Sequence, residues 1–212
     1  MLLPGPEQLA GFFVAAVLVT LSPGPDNLMV LSLGISRGRS QGVAFGLGCA
    51  LGCLSHTTLA VLGVSALIAA SAVAFLALKI AGGLYLIWLG AQALRSRASI
   101  DLSGRGAQAP GESLRSLFTK GLVANAVNPK VILFFLAFLP QFVDAARGGV
   151  AGQTALLGIV FTFQAALIFS AIGYFAGRLG QVFRRHPGAG AWLDRMAGSV
   201  FILLGLRLIV SR

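Results

Sequence analysis

Charge is what this sequence has least of. Only 10% of its 212 residues are Asp, Glu, Lys or Arg, and only six of them are acidic. A soluble domain carries roughly a quarter of its residues as charges to solvate its surface, so a water-exposed globule of this length is excluded. Cysteine is nearly absent: Cys49 and Cys53 are the only two, both inside one apolar run, and no disulfide framework is implied. No Gly-Lys-Ser/Thr nucleotide loop occurs, which excludes an ATP-driven pump acting by itself. The apolar runs show no in/out alternation, so a membrane β-barrel is excluded too.

What the chain has instead is apolar length. Hydrophobic residues make up 57% of it and its mean hydropathy is +0.88. Runs of about 20 apolar residues recur from end to end, the length a helix needs to cross a bilayer. The expected fold is an all-α integral membrane protein with six transmembrane helices, at about residues 8–35, 41–68, 72–94, 115–140, 148–176 and 193–210. The first run has no basic flank and no small-residue cleavage pattern, so it reads as a retained span and not a signal peptide. Residues 1–212 are expected to form one transmembrane domain, with a polar linker at about 95–114 carrying Gly104, Gly106, Pro110 and Gly111.

The net charge of +10 sits between the runs. There it sets orientation and meets anionic lipid, and no aromatic-basic interleaving suggests nucleic acid. Arg37 and Arg39 follow span 1. Arg95, Arg97, Arg105, Arg115 and Lys120 follow span 3, and Arg178, Arg184, Arg185 and Arg195 follow span 5. The opposite turns hold only Arg147, beside Asp144. The basic loops are therefore expected in the cytoplasm and both termini outside.

The two halves resemble each other. Lys79-Ile80-Ala81-Gly82-Gly83-Leu84-Tyr85-Leu86 reads like Arg195-Met196-Ala197-Gly198-Ser199-Val200-Phe201-Ile202, with an aromatic residue at the same offset. Three spans per half is an odd number, so repeats at about 1–97 and 115–212 must insert in opposite senses. That is the inverted-repeat plan of many secondary transporters.

Ser22, Pro23, Gly24, Pro25, Asp26 and Asn27 fall in the middle of span 1. Two prolines and a glycine favour a helix break, tolerated at membrane depth only against protein or water. An unpaired, dry Asp26 would cost about 2.5–3.5 kcal/mol there. Asn128, Pro129 and Lys130, with Asn125 one turn earlier, interrupt span 4 at the corresponding place. Paired interruptions point to a binding site. Aligning Pro25 with Pro129 sets Asp26 opposite Lys130, either as a structural ion pair or as a substrate site. In the second case a zwitterionic amino acid gives its ammonium to Asp26, and its carboxylate meets Lys130 and the half-helix N-termini. Asp26 is also a candidate for the coupling proton.

Span 2 carries Gly42, Gly46, Cys49, Cys53, His56, Ala60 and Gly63 at helical spacing, a face that lets helices approach closely in lipid. His56 is expected inside the bundle, as a hydrogen-bonded core residue or a proton relay. The same small-residue face would serve a homodimer as well as internal packing. Gln164 is expected to line a cavity or bond another helix. Lys79 is expected to snorkel to the outer surface, and Tyr85, Trp88 and Trp192 to serve at interfaces or in packing.

Together, Leu21 to Asn27, Leu84-Tyr85-Leu86-Ile87-Trp88-Leu89-Gly90, Asn125 with Asn128-Pro129-Lys130, and Phe138-Leu139-Pro140-Gln141-Phe142 resemble the lysine exporter (LysE) family, in particular its RhtB branch of homoserine and threonine exporters. The resemblance covers essentially the whole chain. It implies a bacterial inner-membrane exporter of amino acids driven by the proton gradient, with both breaks facing the transport path and no enzymatic activity or cofactor.

Two other functions compete. A thiol–disulfide electron carrier needs reactive cysteines, and Cys49 and Cys53 lie four apart on one apolar helix where thiolates are disfavoured. A divalent-metal exporter needs converging carboxylates, thiolates or imidazoles; only Asp26, His56 and the two cysteines lie at depth, and Lys130 repels cations. No metal site is expected.

Overall fold

The structure is a computed structural model that describes residues 3–95, 111–186 and 188–210. The predicted linker at about 95–114 lies largely outside the described residues, with Arg97, Gly104, Arg105, Gly106 and Pro110. Every regular element described is helical, and no strand occurs among the described residues.

Helix α1 (Pro6–Leu21) stops where Pro23 and Pro25 lack the N–H donors that would continue it, and α2 (Pro25–Ser36) resumes at an angle of 56°. Proline at the first position of α2 costs nothing, because its missing N–H would have no partner there. Helix α3 (Arg39–Ala70) and α4 (Ala72–Arg95) follow. Ser113 caps α5 (Leu114–Ala126) by accepting from the Ser116 N–H at 3.2 Å. The chain breaks again at Val127 and Asn128, and α6 (Pro129–Leu133) restarts at 49°. It passes into a π-helical turn at Phe134–Phe138 and a 3-10 turn at Leu139–Phe142, where Pro140 stops it. Helices α7 (Val150–Arg185) and α8 (Gly188–Val210) complete the bundle. The last two spans are longer than the sequence suggested, because apolar periodicity fades at the polar ends before the helix does.

Three segments are long and apolar enough to cross a membrane: Arg39–Gly63, Leu76–Arg95 and Val150–Phe183. The bent pairs α1–α2 and α5 with α6 through Phe142 qualify when each pair counts as one span. Helix α8 is absent from that set. Large apolar side chains such as Leu62, Val73 and Phe163 are more than half exposed, as residues facing lipid would be.

Small residues set the packing, as expected where helices associate by close contact in lipid. Helix α3 runs antiparallel to α7. Gly42 lies against Gly173, where a methyl would stand 3.1 Å from its Cα, and Gly46 lies against Phe169. Helix α4 runs antiparallel to α8, with Gly83 on the Gly205 carbonyl and Gly90 on the Gly198 carbonyl. Two parallel pairs join these: α3 with α5, through Gly52 against Leu122 and Asn125, and α2 with α7, through Gly34 against Gly173. The small face of α3 is thus largely used internally. Gly63 is its exception, with open space around it.

Lys79 departs from expectation. It does not reach the surface but is buried, 8% exposed. On α4 its neighbours Gly82 and Gly83 mark the face that packs inward.

Candidate functional site

The two breaks lie against each other, and each satisfies the other. Ending α1 at Leu21 leaves carbonyls without helical partners. Lys130 donates to two of them, Val19 O at 3.2 Å and Ser22 O at 3.1 Å. Asn27 Nδ2 donates to a third, Thr20 O, at 2.8 Å. An ammonium at a helix C-terminus also meets the negative end of the helix dipole. Asp26, in the first turn of α2, accepts from Asn125 Nδ2 at 2.8 Å.

Asn125 is a hub. Its carbonyl accepts from Asn128 N at 2.9 Å and from His56 Nε2 at 3.0 Å, which fixes the proton of that imidazole on Nε2. Its Oδ1 receives the Cys53 thiol at 3.4 Å. His56 also rests on the Phe135 ring, centroids 5.7 Å apart. The histidine therefore holds the last turn of α5, just before the break.

Asp26 and Lys130 form no direct ion pair: among the described residues the salt bridges within 4.0 Å are Arg37–Glu112, Lys120–Glu112 and Arg147–Asp144. The two side chains instead border one small pocket of about 10 Å³, with Thr20, Cys53 and Asn125 among its walls. That is room for about one water.

The larger cavity, about 320 Å³, begins on the other side of Lys130. Pro23, Gly24 and Pro25 form one wall and Asn128, Pro129 and Lys130 another. Tyr85 and Phe201, the aromatic pair at matching offsets of the two halves, both line it. Leu89, Gln92, Ala93 and Asp194 line it as well. Lys130 Nζ sits 6.0 Å from the centre of the Phe201 ring. Lysine has three N–H donors and two are used on α1, so one remains. Asn128 spends its Oδ1 on capping Lys130 N at 3.1 Å, while its buried Nδ2 has no partner. The end of the cavity thus offers a cation and a free amide donor, a pair suited to a carboxylate.

The cavity does not reach the opposite end of the bundle. Phe12 of α1, Phe134, Phe135, Phe138 and Phe142 after the second break, and Phe161 of α7 stack at centroid separations of 5.0–6.1 Å. Beyond them, Gln153 ties the 143–149 turn to α7, donating to Asp144 O and Gly148 O.

Of the residues singled out in the sequence, Pro23, Gly24, Pro25, Asn128, Pro129 and Lys130 meet at the cavity. Ser22, Asp26, Asn27, His56, Asn125 and Gln164 are buried but do not line it. Ser22 contributes its carbonyl to Lys130, and Gln164 donates to Thr20 Oγ1 at 2.8 Å. Sequence reading passed over Gln92 and Asp194 and gave Tyr85 no role at the site. Its one available signal was an acid, Asp194, beside the base that opens the second-half repeat.

A cation between two broken helices of a largely apolar bundle is the arrangement found at the binding sites of secondary transporters. The sequence model of the LysE type translocator family matches residues 17–212, and the chain belongs to that family. It is 33% identical to the threonine efflux protein of Escherichia coli over 205 residues, covering 92% of this chain and 94% of that protein. It is 30% identical to the homoserine/homoserine lactone efflux protein of Salmonella typhi, covering 97% and 98%. A membrane protein of Vibrio cholerae, itself uncharacterized, is 31% identical over 95% of this chain and 96% of its own length. No solved structure matches the chain.

Proposed function

We propose that this protein is a secondary transporter that exports amino acids or related small zwitterionic metabolites across the bacterial inner membrane. The carrying observation is the 320 Å³ cavity that ends on Lys130 and Asn128 where the two helix breaks meet. Its volume is at the lower limit for small-molecule sites, in keeping with a metabolite of amino-acid size. The substrate carboxylate takes the remaining donor of Lys130 and the free Asn128 amide. The first-turn N–H groups of α2, which have no helical partners, add to the field at that end.

Six spans arranged as two inverted repeats, at about residues 1–97 and 115–212, are supported by the packing: α3 runs parallel to the broken span of the second half through α5, α7 runs parallel to the broken span of the first half through α2, and α3–α7 and α4–α8 are antiparallel pairs between corresponding spans. With the Lys/Arg-rich loops in the cytoplasm, both termini face outside and the cavity opens inward. The phenylalanine stack then closes the outer side. Alternating access exchanges these two conditions. Asp26, buried at 3% exposure outside the cavity and beside a water-sized pocket, carries the coupling proton. The threonine and homoserine efflux names of the relatives support this substrate class.

The test is efflux of labelled threonine, homoserine, lysine and leucine from proteoliposomes under an imposed pH gradient. Gradient-dependent efflux of at least one is expected. Movement of divalent metal ions with no amino-acid efflux would replace this reading with that of a metal exporter. Among the described residues no three His, Cys, Asp or Glu side chains converge as such a site would require.

A further inference from the structure

The larger cavity has two charged side chains in its lining, and they stand at opposite ends. Lys130 is buried, at 8% exposure, whereas Asp194 is half-buried and Gln92 near it in the lining is exposed. Asp26, the acid that the sequence offered to a substrate ammonium, is not in this lining. It lies behind Lys130 and is held by Asn125. Among the described residues Asp194 enters no ion pair.

Depth along α8 sets the spacing. Phe201 packs beside Lys130, and Asp194 is seven residues earlier on the same helix, about 10 Å along its axis. That exceeds the reach from a carboxylate to the α-ammonium of the same amino acid. A substrate whose carboxylate lies on Lys130 and Asn128 therefore presents its far end, not its α-ammonium, to Asp194. Tyr85, Leu89 and Phe201 lie between the poles and pack the intervening methylenes.

We infer that Asp194 is a specificity-determining residue that reads the far end of the substrate, favouring a cationic or hydroxyl-bearing end over an apolar or acidic one. This rests on the transporter reading above for its route but not for its geometry. A carboxylate facing a substrate ammonium in a partly enclosed site discriminates by about tenfold. Gln92 beside it adds a donor and an acceptor for a hydroxyl.

The experiment compares the parent protein with D194N and D194K. Binding of lysine, homoserine, leucine and glutamate is measured by calorimetry on purified protein, and their efflux from proteoliposomes. The parent is expected to prefer lysine or homoserine over leucine. D194N should shrink the lysine-over-leucine preference about tenfold through KM with kcat nearly unchanged, and D194K should shift preference to glutamate. Unchanged preference in both variants, with efflux intact, overturns the role of Asp194 alone. Asp194-dependent binding without efflux by the parent supports the site and removes the exporter reading. Neither binding nor efflux of any of the four overturns both.

Discussion

The two helix breaks reach the same geometry by different means. The first leaves Ser22, Pro23 and Gly24 between helices, and no side chain caps α2. The second is shorter, and Asn128 caps its own restart. The first break therefore depends on help from outside, and Lys130 of the second supplies it through Val19 O and Ser22 O. On the proposed reading, stability and recognition share one ammonium: a substrate carboxylate that draws Lys130 towards the cavity would loosen its hold on α1 and couple binding to the joint between α1 and α2.

The sharpest way to break this asymmetry is Lys130→Met. It removes the cation of the cavity and leaves two buried carbonyls unpaired, each costing about 1–3 kcal/mol. Proteoliposome efflux should fall about a hundredfold, with a lower thermal midpoint in detergent; retention of efflux would falsify the assignment of Lys130 to the carboxylate. Gly24→Ala acts on the same ammonium without removing it. The new methyl would stand 3.0 Å from Lys130 Nζ and 3.6 Å from Cε. Because Gly24 is extended rather than left-handed (φ −171°), the expected effect is steric: KM up by about tenfold with the fold retained. A KM equal to that of the parent would show that the lysine yields freely.

Asp26→Asn separates the two sides of Lys130. Asn125 can still donate to the substituted oxygen, and the residue lies outside the larger cavity. Substrate exchange should change by less than about threefold while dependence on the pH gradient disappears; loss of exchange itself would move Asp26 into the substrate site. The smallest effect is expected far from both breaks. Lys120, Ser116 and Arg37 around Glu112 hold its carboxyl down at about 2, against an ordinary value of 4.5. That contribution is complete above pH 4.5 and is lost as pH falls towards 2. Glu112→Gln should therefore flatten the fall in thermal midpoint between those pH values and leave efflux at neutral pH unchanged. An equally steep fall in the variant would locate the acid sensitivity elsewhere.

Much of the site was legible because proline and glycine act locally. Pro23, Gly24, Pro25 and Pro129 dictate breaks wherever they sit in a helix, so both walls of the cavity could be placed from residue order. The aromatic pair Tyr85 and Phe201 was visible as a repeat, but its use at the cavity was not, since an aromatic on an apolar helix packs equally well against lipid. Asp194 was hidden for a related reason. An acid beside a base, as Asp194 is beside Arg195, reads as an ordinary solvated residue near a helix end, and only the crossing of α4 on α8 brings it over the cavity. Asp26 was legible as an acid at the first break, but its partner was not: Asn125 holds it, and it lines the small pocket and not the larger cavity.

Residue order by itself determined the largely apolar helical class and the two interruptions, because burying backbone in lipid and breaking a helix are costs set by residues near in sequence. It also set the excess of Lys and Arg in alternate loops, counted without reference to any contact. Which charged groups face the cavity was decided only by tertiary structure. The direction of a side chain on an apolar helix depends on the neighbour it meets, and here glycines at Gly42–Gly173, Gly83–Gly205 and Gly90–Gly198 fix those meetings. Their crossings place Lys130 and Asp194 in one cavity and Asp26 behind it.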